Sequence, residues 1–120
     1  MALNSSDRSG CEWLIEARAC SAESLRSPDS LRALFAELVK GLNLHPVGET
    51  TWHQFAGTGG ITGLALLEES HLACHTFPEY GTLCLNVFCC RARPDWAFEE
   101  YLRHTFDAQQ VTVRRVERPY

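Results

Sequence analysis

Glu68-Glu69-Ser70-His71-Leu72-Ala73-Cys74-His75-Thr76-Phe77-Pro78-Glu79-Tyr80-Gly81 lies between two apolar runs, Ile61 to Leu67 and Thr82 to Cys90. His71 to Phe77 reads as a strand that closes at Pro78, because proline has no N–H to give to a ladder. Gly81 supplies the turn. The preceding run reads as a continuous buried strand and the following one as a further strand. Strands joined by such short links pair antiparallel.

The rest of the chain extends this sheet and covers it. Cys11 to Ala19 alternates, with Trp13, Ile15, Ala17 and Ala19 on one side and Leu14, Glu16 and Arg18 on the other, a strand pattern. From Ser27 the period changes. Ser27 suits an N-cap and Pro28 a first helical position, while Leu31, Leu34, Phe35, Leu38, Val39 and Leu42 form one apolar stripe. Gly41 is the expected stop. Val47 to Phe55 leans towards strand, and Arg93-Pro94-Asp95 opens a second helix with Phe98, Tyr101, Leu102 and Phe106 facing inward. Val111 to Val116 gives the last strand. The order β-α-β-β-β-β-α-β predicts an α+β fold, an antiparallel β-sheet with two helices covering one face. The uncovered face is expected to pair with a second copy as a dimer.

The chain has 120 residues, one domain by length, with 45% apolar and 22% charged residues. Residues 1–10 read as a flexible polar N-terminus and 11–120 as the domain. A net charge of −4 and a pI near 5.7 argue against a nucleic-acid partner. No apolar run reaches the roughly 20 residues that span a bilayer, and no signal-peptide pattern opens the chain, so no membrane partner and a cytoplasmic location are expected. The six cysteines include no CxxC pair, and most read as small buried apolar residues rather than disulfide or zinc ligands.

Strand alternation puts His71, Ala73, His75 and Phe77 on one face, and Cys84, Asn86, Phe88 and Cys90 on a face of the next strand. A polar cluster gathering His75 and Cys90 near Ser70 is therefore expected. Zinc does not fit His71 and His75, which strand spacing holds about 13 Å apart when both nitrogens would have to lie about 2 Å from one ion. No metal is expected. A serine hydrolase is disfavoured, since adjacency of Ser70 and His71 does not orient a base and no Gly-x-Ser-x-Gly elbow is present. The glycine-rich loop Ala56-Gly57-Thr58-Gly59-Gly60 precedes a strand and lacks a Lys-Ser/Thr, so it is not read as a phosphate cradle.

The Glu69-Ser70-His71 and His75-Thr76-Phe77-Pro78-Glu79-Tyr80-Gly81 segments, with Leu85-Asn86-Val87-Phe88-Cys89-Cys90, closely resemble the small prokaryotic form of the pyruvoyl-dependent S-adenosylmethionine decarboxylases. The resemblance runs from about Cys11 to Tyr120 and is strongest over Gly60 to Cys90. It implies that Ser70 attacks the carbonyl of Glu69, that the backbone is cut between residues 69 and 70, and that Ser70 becomes a pyruvoyl cofactor. That group would take the substrate amine as a Schiff base and serve as an electron sink. On the same resemblance, His75 removes the serine α-proton during processing, Thr62 assists ester formation, and Cys90, rather than Cys89, protonates the product carbon. Phe55 and Phe77 would stack on the adenine of S-adenosylmethionine, with Glu79 on its ribose; isolated aromatics are more often simply core. A homodimer of cleaved protomers is implied, serving spermidine synthesis. Departures are Gly10-Cys11-Glu12-Trp13 in place of a signature with Gly-Arg-His, Asn86 in place of an aspartate, Cys89 in place of a threonine, and a loop before Ile61 about one residue longer. Two alternatives stay open: a pyruvoyl decarboxylase of arginine or ornithine, or an uncut, non-catalytic binding partner.

Overall fold

The computed structural model describes residues 8–120; most of the expected flexible segment 1–10 lies outside them. Six strands, β1 (Ser9–Arg18), β2 (Thr51–Gln54), β3 (Ile61–Leu66), β4 (Ser70–Phe77), β5 (Thr82–Cys89) and β6 (Gln110–Pro119), form one sheet in the order β2-β3-β4-β5-β1-β6. Every neighbouring pair is antiparallel. The central hairpin forms as its residues dictate: Pro78–Tyr80 makes a single 3₁₀ turn and Gly81, at φ +64°, reverses the chain into β5.

Helix α2 (Pro28–Gly41) starts as its sequence requires, with the Ser30 N–H donating to the Ser27 side chain at 3.2 Å. It ends at Gly41, the expected stop, and Asn43, at φ +52°, turns the chain while the Leu44 N–H donates to the Val39 carbonyl. Gly41 is also a site of close packing, since a Cβ there would lie 2.1 Å from Trp96 Nε1.

Helix α3 (Phe98–Phe106) begins four residues later than Pro94, with no side-chain cap at Ala97. Tertiary contacts hold the preceding segment out of helical geometry: Arg115 Nη1 lies 2.8 Å from Asp95, Arg93 reaches Glu69, and Trp96 packs against Phe98 and Tyr101. A one-turn helix, α1 (Ala22–Leu25), was not expected; Ser21 caps it and it buries Leu25. Ala19 falls outside β1, in a left-handed conformation at φ +55°.

The core lies between the helices and one sheet face. Trp13, Ile15, Ala17, Leu72, Leu83, Leu85 and Val87 pack there against Leu31, Leu34, Leu38, Phe98, Leu102 and Phe106. Trp13 is buried and sits 5.6 Å from Phe98, ring to ring. Trp13→Ala is expected to cost about 3–5 kcal/mol and to lower Tm by at least about 10 °C, because the cavity cannot collapse between two strands. Thermal unfolding of a Ser70→Ala chain carrying it provides the check.

Among the described residues, no helix covers the opposite face. β3 is therefore half-buried rather than fully buried, with Leu64 52% and Leu66 60% exposed. The strand registers set rungs across this face: Glu12–Phe88–His71–Leu66, then Leu14–Asn86–Ala73–Leu64, then Glu16–Cys84–His75–Thr62. Among the described residues, no helix is long and apolar enough to cross a membrane.

Candidate active site

The polar residues singled out in the sequence lie on the uncovered face or at its edge, in two groups. The first surrounds the peptide bond between Glu69 and Ser70. Ser70, first residue of β4, has φ +156°, a region that residues with a Cβ rarely occupy and that costs roughly 1–3 kcal/mol. What holds it there is a set of fixed neighbours. The Leu67 N–H donates to the Ser70 carbonyl at 3.0 Å, and the Cys90 N–H donates to the Glu69 carbonyl at 2.9 Å.

The Glu69 side chain is fastened as firmly. It is only 9% exposed, accepts the His45 backbone N–H at 3.0 Å, approaches His45 Nδ1 to 2.5 Å and Arg93 to 3.5 Å. Burial raises its pKa, but the hydrogen bonds from His45 prevail and leave the carboxyl below its ordinary range. Glu68 also lies within reach of His45, so three potential metal ligands converge. The Arg93 guanidinium already supplies positive charge at that point. Both flanks of the peptide bond are thus held, one by backbone donors and one by an ion-pair cluster.

Ser70 Oγ lies 3.1 Å from His71 Nδ1, His71 Nε2 lies 2.8 Å from Asn86 Oδ1, and Asn86 Nδ2 donates to Glu12 Oε2 at 2.8 Å. Glu12 ends the series in an ion pair with Arg118. The hydrogen bond to Asn86 lowers the Glu12 pKa more than burial raises it, and Arg118 lowers it further. Two departures from the family pattern, Glu12 and Asn86, are therefore in contact. A carboxylate is present one residue farther from His71 than an aspartate at position 86 would have placed it.

The second group centres on His75. Thr62 Oγ1 lies 2.7 Å from His75 Nδ1, as expected for cross-strand partners in β3 and β4. Phe77 and Phe55 flank the imidazole at 4.4 and 5.7 Å. Neither is core: Phe55 is 43% exposed and Phe77 half-buried, so burial alone does not account for them. Glu79 is exposed in the turn that follows.

The expected single cluster of Ser70, His75 and Cys90 does not form within one chain. The Cys90 N–H reaches the Glu69 carbonyl next to Ser70, but His75 is five residues along the strand from Ser70, about 17 Å. The imidazole beside Ser70 is His71, not His75. The reason is the backbone at Ser70: its unusual φ turns the hydroxyl towards a neighbour that ordinary alternation would place on the other face. Alternation placed His71 and Asn86 on strand faces correctly, whereas the contact with Glu12 depended on the register of β1 against β5, which no local signal specifies.

Cysteine placement separates the two adjacent thiols. Cys89 is buried on the helix side, where burial pushes its pKa up to about 11, while Cys90 is exposed at the end of β5. Cys74 is also buried, with its thiol pushed up to about 12 by burial.

Comparison with known proteins gives the same answer along the whole domain. Residues 11–119 match the family model described as S-adenosylmethionine decarboxylase. S-adenosylmethionine decarboxylase proenzymes from Thermococcus gammatolerans and Pyrococcus furiosus are 32% and 31% identical, covering 91% and 93% of this chain and 76% and 80% of their own. The proenzyme from Clostridium kluyveri is 30% identical over 91% of this chain and 86% of its own. The crystal structure of the adenosylmethionine decarboxylase from Aquifex aeolicus superposes with a TM-score of 0.75 at 24% identity, covering 95% of this chain and 93% of that one, a likeness of fold. With a family model matched over nearly all of its length and relatives above 30% identity, the chain belongs to the S-adenosylmethionine decarboxylase family.

Proposed function

We propose that this chain is a proenzyme that cuts itself between Glu69 and Ser70 and then decarboxylates S-adenosylmethionine to the aminopropyl donor used in spermidine synthesis. It works in the cytoplasm as a homodimer of cleaved protomers. The observation that carries the reading is the geometry of the scissile bond. Ser70 is strained at φ +156° and the carbonyl it must attack is already hydrogen-bonded by the Cys90 N–H. As Oγ adds to that carbonyl, negative charge grows on the oxygen, and a donor fixed in advance at 2.9 Å stabilises it without reorganisation. Breaking the peptide bond also releases the backbone strain at Ser70.

The residues present suit a pyruvoyl group at position 70: a serine precursor, a hydrogen-bonded scissile carbonyl and a half-buried position beside polar side chains. Once formed, that carbonyl supplies an electron sink for loss of carbon dioxide. In this reading Cys90, the exposed member of the thiol pair, delivers a proton to the product carbon. Phe55 and Phe77 offer rings to a flat base, and Glu79 a carboxylate to ribose hydroxyls.

Two half-sites in one chain require a partner. Ser70 with Cys90 forms one, and His75 with Thr62, Phe55, Phe77 and Glu79 the other, with exposed Leu64 and Leu66 on the same uncovered face. Antiparallel docking of two such faces brings the first half-site of each protomer against the second half-site of the other.

Cys90→Ala separates the two stages. Cys90 reaches the scissile carbonyl through its backbone N–H, which alanine retains, so cleavage proceeds. Decarboxylation without its proton donor is expected to fall by about 10²–10⁴-fold. Denaturing electrophoresis and carbon dioxide release measure the two separately; an uncut Cys90→Ala chain would contradict the assignment of the N–H.

A further inference from the structure

We propose that His71 is the general base of the self-cleavage reaction, and that Asn86 and Glu12 position it by fixing which ring nitrogen is bare. The proposal rests on the self-cleavage reading above and names a group for its first step.

Asn86 Nδ2 has two acceptors, Glu12 Oε2 at 2.8 Å and the Trp13 carbonyl at 3.4 Å, so the amide nitrogen faces β1 and Oδ1 faces His71. An amide oxygen only accepts. His71 Nε2, 2.8 Å away, must therefore carry the hydrogen and donate it. In the neutral ring this leaves Nδ1 without one, and Nδ1 is the atom 3.1 Å from Ser70 Oγ. Glu12, an anion paired with Arg118, holds the amide in that orientation through its NH₂ group. The hydroxyl proton consequently has an acceptor before the reaction begins.

The step balances within the chain. Ser70 Oγ bonds to the Glu69 carbonyl carbon while its proton passes to His71 Nδ1, and the carbonyl electrons move onto the oxygen held by the Cys90 N–H. As the carbonyl re-forms, the bond from Glu69 carbon to Ser70 nitrogen breaks, and the proton on Nδ1 passes to that nitrogen. The products are an ester at Oγ and a free amine on Ser70. No oxidant, metal or external reagent takes part.

Two measurements test this. In the full-length Ser70→Ala chain with ¹⁵N-labelled histidine, the His71 signals should show a protonated Nε2 and a bare Nδ1, and Asn86→Leu should mix the tautomers. The opposite tautomer would overturn the proposal. In the otherwise intact chain, His71→Gly should slow cleavage by about 10²–10⁴-fold, leaving uncut protein by intact mass that hydroxylamine, which splits esters, does not cut. Added imidazole should restore cleavage, since the depression of about 620 Å³ bordered by Ser70 and His71 gives it access. Wild-type speed in His71→Gly would overturn the proposal and leave the self-cleavage reading intact. A wild-type chain that never cuts would overturn both.

Discussion

Ser70→Ala is expected to yield a single uncut chain of 120 residues with no detectable decarboxylation. Alanine has no hydroxyl to add to the Glu69 carbonyl, so the ester cannot form and the carbonyl cofactor is never made. No neighbouring group takes over. Cys89 is on the covered side of the sheet and Cys90 contacts the carbonyl through its N–H, while the Glu69 carboxylate is committed to His45 and Arg93. The loss should reach the detection limit rather than a fractional decrease, and folding should survive, because Ser70 contributes nothing to the apolar core. Electrophoresis and activity on the same preparation decide it. Residual turnover by an uncut Ser70→Ala chain would exclude a pyruvoyl mechanism.

The second large effect is complementation between two inactive chains. His75→Ala alone should remain uncut, and so should Ser70→Ala alone. Co-expressed in equal amounts, each His75→Ala chain meets a Ser70→Ala partner about half of the time by random pairing in a symmetric dimer. In such pairs the proposed face-to-face docking sets the intact Ser70 of one protomer against the intact His75 of the other. About half of the His75→Ala chains should then be cut, and none of the Ser70→Ala chains. The prediction follows from about 17 Å of strand separating the two residues within a chain. If His75 instead acted on its own Ser70, mixing would change nothing.

Much of this architecture was legible from residue pattern. The alternation of Trp13, Ile15 and Ala17, the capped stripe from Ser27 and the Pro78–Gly81 turn each encode their element locally. Boundaries failed where distant contacts outweighed local preference. Pro94 suits a helix start, yet Asp95 and Arg93 are engaged by Arg115 and Glu69, and the helix waits for Phe98. Gly41 does end its helix, and its missing side chain also makes room for Trp96, which no local signal announced.

The site divided in the same way. Ser70, Thr62, His75, Cys90 and the aromatic pair could be named as candidates from the resemblance, because their types and spacing match it. Their grouping could not. Strand length keeps His75 away from Ser70 within the chain, the backbone angle at Ser70 accompanies its contact with His71, and whether Asn86 is paired depends on the register of β1 against β5. The cluster of His45 and Arg93 around Glu69 was likewise invisible, since 24 residues separate His45 from Glu69 and the link is a bridge between loops. Glu12 and Asn86 looked like two unrelated departures in sequence and are hydrogen-bonded partners in the fold.

The intact mass of the purified wild-type protein under denaturing conditions tests the central claim most directly. The account predicts two fragments that part between Glu69 and Ser70, the second beginning with a pyruvoyl group in place of serine. A single uncut chain, stable on prolonged incubation, would contradict it.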